Sequence, residues 1–126
     1  MVKETSIAYP RLKRDWGNIG GRALRLRPPG VKGIPDFALF QKRLGTAMCE
    51  VKCVELRNDR IGIDYNQIDM LRDIVKHGGQ AFCLVLCLET KQWVVFNDGV
   101  HVDCKWKGGG IPCKDGNDLL ERMMWM

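Results

Sequence analysis

The sequence predicts an α/β protein in which a small mixed β-sheet carries helices on both faces. Residues 47–56 have apolar side chains on both alternating faces, which is the pattern of a central strand that is covered on two sides. Residues 81–88 are apolar throughout and predict a second central strand. Residues 66–77 lie between these strands and repeat apolar side chains at helical spacing. Strand, helix and strand thus follow one another, as in an α/β fold.

Shorter patterns predict the other elements. An apolar stripe in residues 3–16 predicts a first helix. Because a proline is tolerated in a first turn, Pro10 means either that this helix begins near Pro10 or that an earlier one ends at Ala8. Asp98-Gly99 is a strong hairpin signal between two apolar runs. The remaining predictions are strands at 23–27, 36–41, 93–97 and 100–106, a terminal helix at 118–126, and turns at Pro28-Pro29-Gly30 and around Gly45.

Length and hydropathy predict one domain that covers residues 1–126. No apolar run approaches the roughly 18 residues of a membrane-spanning helix, and no secretion signal opens the sequence. We therefore expect a cytoplasmic protein that does not act at a membrane.

The six cysteines are predicted to be small buried hydrophobic residues. Cys49 and Cys53 lie four residues apart in one predicted strand, as do Cys83 and Cys87 in another. That spacing separates the two thiols of each pair by roughly 13 Å, which is too far for a disulfide. A zinc site or disulfide that uses Cys104 and Cys113 stays open as the alternative.

Two acids and a lysine occur where two neighbouring strands are predicted. Asp36 opens one strand. Glu50 and Lys52 lie two residues apart in the next strand and point to the same face, because strand side chains alternate. A turn around Gly45 would bring the two strands together. Carboxylate oxygens suit Mg²⁺ or Mn²⁺, and a nearby ammonium can hold a water or neutralise phosphate charge. The pattern predicts a metal-dependent site.

Basic residues are concentrated in the part of the chain that precedes this site. Residues 1–32 carry a charge of +6, so the other 94 residues carry −1 of the net +5. A basic surface beside a carboxylate pair suits a polyanion, and a solvated face without a ligand is the alternative. The candidate phosphate contacts are Arg22, Arg25, Arg27 and Lys32.

Pro35-Asp36 followed by Glu50-Val51-Lys52 resembles the signature of the PD-(D/E)XK nuclease superfamily. Gln67, at the beginning of a predicted helix that ends in Gly78-Gly79 before a buried strand, is similar to the pattern of VRR-NUC (virus-type replication-repair nuclease) domains. The stretch from Gly78 also resembles bacterial and phage Holliday-junction resolvases. The resemblance covers roughly residues 4–97. It implies a restriction-endonuclease-like α/β fold.

The same resemblance implies a Mg²⁺-dependent, structure-specific DNA endonuclease that hydrolyses phosphodiester bonds in branched DNA, such as a Holliday junction or a flap. Mn²⁺ would be able to replace Mg²⁺. Asp36 and Glu50, with the Val51 carbonyl, would bind the metal. Lys52 would orient a water and stabilise charge on the phosphate, and Gln67 would support Lys52 or the water.

Two further expectations come from relatives of this kind. A glutamate on the first helix often joins the metal site, which makes Glu4 a candidate ligand. Single-domain relatives often act as homodimers, so a homodimer of a phage- or bacterium-encoded protein is implied. The apolar face of the terminal helix, with Trp125, is expected to pack on the protein's own core, and a dimer contact is the alternative.

Two other functions stay open at the level of the sequence. One is a restriction-type or general phage endonuclease that uses the same residues on linear duplex DNA. The other is a nucleic-acid-binding module without catalysis. An intact set of Asp36, Glu50 and Lys52 argues against the binding module, because binding alone needs basic residues and no pair of carboxylates.

Overall fold

A computed structural model describes residues 3–26, 33–107 and 109–126 of the chain. The predicted turn at Pro28-Pro29-Gly30, together with Arg27 and Lys32, lies outside the described residues. The elements in order are a π-helical segment (Glu4–Ala8), α1 (Tyr9–Gly17), β1 (Arg22–Arg25), β2 (Phe37–Gln41), β3 (Gly45–Val54), α2 (Tyr65–Lys76), β4 (Ala81–Cys87), β5 (Trp93–Phe96) and α3 (Gly116–Met124). The predicted α/β class is confirmed.

The five strands form one mixed sheet in the order β1-β2-β3-β4-β5. β1 pairs with β2, β2 with β3 and β4 with β5 in antiparallel fashion, whereas β3 and β4 are parallel. A parallel pair needs a long crossover connection, and α2 provides it. Gly45, with a positive φ of 86°, begins β3 directly after the tight turn from β2. That conformation favours glycine because the Cβ of any other residue would lie too close to the adjacent backbone carbonyl.

Two hydrophobic clusters lie on opposite faces of the sheet. The first packs α1 and α3 against one face and includes Leu12, Trp16, Val51 and Leu119. The second packs α2 and the segment around Val100 against the other face. β4 is buried at every position because it contributes to both clusters. This two-sided burial explains why its sequence does not alternate.

The helix boundaries follow from local chemistry. Pro10 occupies the first turn of α1, where its missing N–H costs little, and π-helical residues precede it. A helix thus begins next to Pro10, as the first option predicts, and an earlier helical segment ends at Ala8, as the second predicts. α2 begins at an Asp64 N-cap whose side chain accepts a hydrogen bond from the Gln67 N–H. α3 has Asp115 in the same role. Its apolar face packs on the core, and Trp125 beyond it is exposed.

The prediction of a hairpin around Asp98-Gly99 is wrong. β5 ends at Phe96, and residues 100–106 cross the α2 face of the sheet instead of pairing with β5. Val100 and Trp106 are 2% and 8% exposed, so their burial there outweighs the preference of the turn.

Other backbone groups replace the pairing that the hairpin would have made. The Ile61 N–H donates to the Cys104 carbonyl at 3.0 Å, which ties the crossing segment to the loop before α2. On β5, Trp93 and Cys113 exchange two backbone hydrogen bonds of 2.7 and 2.6 Å. Within the described ranges, no helix is long and apolar enough to cross a membrane.

Candidate active site

Asp36 lies at the point where β2 stops pairing with β3. The last pair in the register joins Phe37 to Cys49, so the backbone of Val51 extends past the beginning of β2. The Val51 N–H donates to Asp36 Oδ2 at 2.9 Å. A side chain thus replaces a strand partner, and this bond fixes the carboxylate at the end of β2 beside β3.

Glu50 is buried, with 2% of its surface exposed, and its two oxygens have different surroundings. Oε1 accepts a hydrogen bond from Gln67 Nε2 at 2.9 Å and lies 3.7 Å from Lys52 Nζ. Oε2 is buried and has no hydrogen-bond donor within the described part of the chain. A buried carboxylate oxygen without a donor is costly, so this atom marks a place where a cation fits.

The electrostatics of Glu50 agree with this geometry. The pKa of Glu50 is raised from 4.5 to about 9, mainly by burial and then by the charge of the neighbouring Asp36 and the hydrogen bond that Asp36 accepts. Lys52 opposes the rise in pKa. Two adjacent carboxyl groups without a cation favour one shared proton. A divalent cation between them would remove the repulsion and displace that proton.

Gln67 is held in one orientation by the cap of α2. Its side-chain Oε1 accepts from the Asp64 N–H at 3.1 Å, and its own N–H donates to Asp64 Oδ1 at 2.9 Å. With Oε1 occupied, the amide NH₂ is the group that faces Glu50. Gln67 therefore serves as a hydrogen-bond donor to the Glu50 carboxylate. The predicted contact of Gln67 with the site is present, and its direct partner is Glu50 rather than Lys52.

The donor set at this place suits a hard divalent cation. The Met48 N–H donates to the Gln80 carbonyl, and the Val54 carbonyl accepts from the Leu88 N–H. The backbone groups of even-numbered residues in β3 therefore point toward β4. Odd-numbered residues, including Val51, direct theirs toward the Asp36 side. If two carboxylates and one carbonyl bound Mg²⁺, water and phosphate oxygens would fill the remaining coordination positions of the ion. Mg²⁺ prefers such a mixed set of oxygen ligands. In the described ranges, no group of three or more His, Cys, Asp and Glu side chains is arranged to hold a metal.

The structure does not bring Glu4 to Asp36 and Glu50, which departs from the expected ligand set. The Glu4 carboxylate lies beside the Cys53 thiol, and both line an open cleft of about 430 Å³ with Lys3 and Glu55. Cys53 is an odd-numbered residue of β3, and its side chain leaves the face opposite to that of Glu50. Metal binding by Glu4 stays a prediction without support from this geometry.

The candidate basic residues that the structure describes have different surroundings. Arg22 is exposed on β1. The Arg25 guanidinium lies 4.3 Å from the ring centroid of Tyr9, inside the protein's own contacts. Its Nε atom is buried and has no partner in the described segments. Phosphate binding by these arginines stays a prediction.

Sequence reasoning missed Tyr9. It is 8% exposed at the beginning of α1, and its hydroxyl lies beside the Asp36 carboxylate, whose charge and hydrogen-bonding capacity add to the effect of burial in raising the pKa of Tyr9. Nothing in the sequence pairs a tyrosine with an aspartate 27 residues later, and the Pro10 that follows it drew attention only as a helix signal.

All six cysteines are free, and Cys49, Cys83, Cys87 and Cys113 are buried as predicted, whereas Cys53 and Cys104 are partly exposed. Burial raises the pKa of Cys49 and Cys83 well above the usual range for a thiol, and the nearby Glu50 charge adds to the rise. These thiols therefore stay protonated and behave as small apolar side chains.

The comparisons with known proteins support the fold. No protein-family model and no curated protein matches the chain. The structure is similar to that of Hjc, a Holliday junction resolvase from the archaeal hyperthermophile Archaeoglobus fulgidus, with a TM-score of 0.60 and 19% identity over 81% of this chain and 84% of that one. It is also similar to a VRR_NUC domain, with a TM-score of 0.53 and 22% identity over 71% of this chain and 90% of that one.

A Holliday junction resolvase and a VRR_NUC domain are the two kinds of protein that the sequence resembles, so that resemblance is confirmed for the fold. The chain has the α/β fold of these two structures. At such identities, the likeness concerns architecture, and the chemistry must be argued from Asp36, Glu50, Lys52 and Gln67.

Proposed function

We propose that the protein is a metal-dependent endonuclease that hydrolyses phosphodiester bonds in DNA. The observation that carries the proposal is Glu50 Oε2, a buried carboxylate oxygen that lacks a donor in the described residues and lies beside a second carboxylate and a lysine. A structural ion pair would satisfy its oxygens, whereas a cation site needs one left open.

Each residue of the site has a distinct part in this proposal. Asp36 and Glu50, with the Val51 carbonyl, hold Mg²⁺, which can be replaced by Mn²⁺. When bound, the metal lowers the pKa of its water and balances phosphate charge. Gln67 donates to Glu50 Oε1 and so leaves Glu50 Oε2 free to bind the cation. The Lys52 side chain is 14% exposed, and its Nζ lies 3.7 Å from Glu50 Oε1. Lys52 orients the attacking water and stabilises charge that develops on the phosphate.

The proposed substrate is branched DNA, such as a four-way junction or a flap. The similarity to a Holliday junction resolvase supports this choice, and the similarity to a VRR_NUC domain supports a role in replication or repair. A two-fold homodimer would suit a symmetric junction. The proposal places the enzyme in the cytoplasm, in a bacterium or a phage-infected cell.

A cleavage assay tests the function. Purified protein is incubated with an end-labelled four-way junction, a flap and a linear duplex in Mg²⁺, Mn²⁺ or EDTA. Cleavage should need the metal and favour the branched substrates. Asp36→Asn and Lys52→Ala should each lower the rate by at least about 100-fold while DNA affinity is largely retained. Asp69→Asn, which changes an exposed aspartate of α2, is the matched control and should cut like the wild type.

Different outcomes lead to different conclusions. Equal cutting of all three substrates would replace the branched-DNA specificity with that of a general endonuclease. Wild-type turnover by Asp36→Asn would remove the site from the chemistry. Tight binding of DNA without any metal-dependent product would contradict catalysis and favour a binding module.

A further inference from the structure

Tyr9 occupies a fixed position between α1 and the beginning of β2. Its ring meets the ring of Phe37 edge-on, with centroids 5.0 Å apart and an interplanar angle of 85°. The Arg25 guanidinium from β1 lies 4.3 Å from the centroid of the same ring. An aromatic contact and a cation–π contact thus restrain the ring, and its 8% exposure leaves little room for movement.

The Tyr9 hydroxyl meets the Asp36 carboxylate. Burial, the charge of Asp36 and the hydrogen bond to Asp36 all raise the pKa of Tyr9. A phenol hydroxyl can donate a hydrogen bond, and a carboxylate accepts one. Asp36 thus has neighbours from two different parts of the fold: the Val51 N–H of β3 donates to its Oδ2 at 2.9 Å, and the Tyr9 hydroxyl of α1 lies beside the carboxylate.

We propose that Tyr9 is a positioning residue whose hydroxyl holds the Asp36 carboxylate in the orientation that binds a divalent cation together with Glu50. The inference rests on the proposed function for the identity of the ligand. Asp36 precedes β2, and its backbone carbonyl accepts a hydrogen bond from the Leu26 N–H at 2.9 Å. The backbone is thus held, and a donor on a rigid ring would fix the direction of the side chain, since partners of metal ligands fix the orientation of those ligands.

The arrangement also assigns a part to Arg25. Its guanidinium packs against one face of the ring that carries the donor, while Phe37 meets that ring edge-on. Arg25 therefore acts on Asp36 through Tyr9, apart from any contact that it makes with DNA.

Tyr9→Phe is the decisive variant, because it removes the hydroxyl and keeps the ring with its Phe37 and Arg25 contacts. DNA-free protein is titrated with Mn²⁺ by calorimetry. We expect the affinity of Tyr9→Phe for Mn²⁺ to fall about 10-fold relative to the wild type. Tyr65→Phe changes the other tyrosine, which is 71% exposed, and should leave the affinity unchanged. In EDTA, both variants should melt close to the wild type, which separates the effect from a loss of folding.

Cleavage of a four-way junction at increasing Mg²⁺ gives a second readout. Tyr9→Phe should need about 10-fold more Mg²⁺ for half-maximal rate and recover near wild-type turnover at saturation. Asp36→Asn should not recover at any Mg²⁺ concentration. A merely structural role for Tyr9 would lower the melting temperature in EDTA and leave the Mg²⁺ requirement unmoved.

The outcomes distinguish this inference from the proposed function. Weaker Mn²⁺ binding by Tyr9→Phe with no cleavage by the wild type would keep the inference and reject the nuclease. Metal-dependent cleavage by the wild type with an unchanged metal requirement in Tyr9→Phe would keep the nuclease and reject the inference. A wild-type protein that binds no Mn²⁺ would reject the inference.

Discussion

Replacing Glu50 with glutamine should stabilise the metal-free protein, and increasingly so as the pH rises. The folded protein raises the pKa of Glu50 from 4.5 to about 9 through burial and the nearby Asp36 charge. The folded state therefore holds more protons than the unfolded chain across this window. Because stability falls with pH wherever the folded state binds more protons, the wild type should lose stability from about pH 4.5 to about pH 9.

The magnitude follows from the proton difference. One proton corresponds to about 1.4 kcal/mol for each pH unit, so the step from pH 6 to pH 8 costs the wild type at most about 3 kcal/mol. Glutamine has no charge, still accepts from Gln67 through its carbonyl, and can donate to Asp36 as a protonated carboxyl would. We expect Glu50→Gln to gain about 1 to 3 kcal/mol over the wild type between pH 6 and pH 8.

Thermal and urea unfolding in EDTA at pH 6, 7 and 8 measures this gain. In a chain of this size, it corresponds to about 5 to 10 °C in melting temperature. Glu121→Gln, which changes an exposed glutamate of α3, is the matched control and should follow the wild type. Added Mg²⁺ should stabilise the wild type more than Glu50→Gln, because only the wild type retains both carboxylates. If the free energy of unfolding depends on pH in the same way in the wild type and Glu50→Gln, the folded protein does not destabilise the Glu50 carboxylate and the reasoning is refuted.

Two further predictions concern the loop before the site and the basic surface. Gly33→Ala should lower the free energy of unfolding by at least about 2 kcal/mol, because the residue has a φ of 83° and a Cβ there would lie 2.3 Å from the Asn66 carbonyl oxygen. Gly20→Ala is its control in urea unfolding, since Gly20 has a φ of 75° with open space around it, and equal losses in both variants would contradict a clash at Asn66. Arg22→Ala should reduce the salt dependence of DNA binding by about one counterion in a binding titration, because the exposed Arg22 side chain is a candidate phosphate contact. Lys76→Ala, at the exposed end of α2, is the control, and an unchanged slope in Arg22→Ala would remove Arg22 from the DNA surface.

The elements that the sequence predicted well depend on short-range rules. The two-sided apolar pattern of β3 and the apolar run of β4 each lie within one element, and both are present in the structure. The prediction of a hairpin at Asp98-Gly99 was wrong, although the local turn signal was strong. The burial of Val100 and Trp106 against distant residues outweighed that local preference.

The candidate site divides in the same way. Strand alternation places Glu50 and Lys52 on one face, and the helical pattern places Gln67 in the first turn of a helix, so both placements were predicted from the sequence. The packing of α2 beside β3 directs the Gln67 amide to Glu50 Oε1 and leaves Glu50 Oε2 without a donor in the described residues, and neither contact could be predicted from the order of residues.

Contacts between elements that are far apart in the chain could not be predicted from the sequence. The tertiary structure alone brings Tyr9 to Asp36 and directs Glu4 to Cys53, away from the carboxylate pair. Strand alternation and helix capping act over a few residues and can be read from the order of side chains. The meeting of α1 with the beginning of β2 depends on how the whole core packs, which no local pattern encodes.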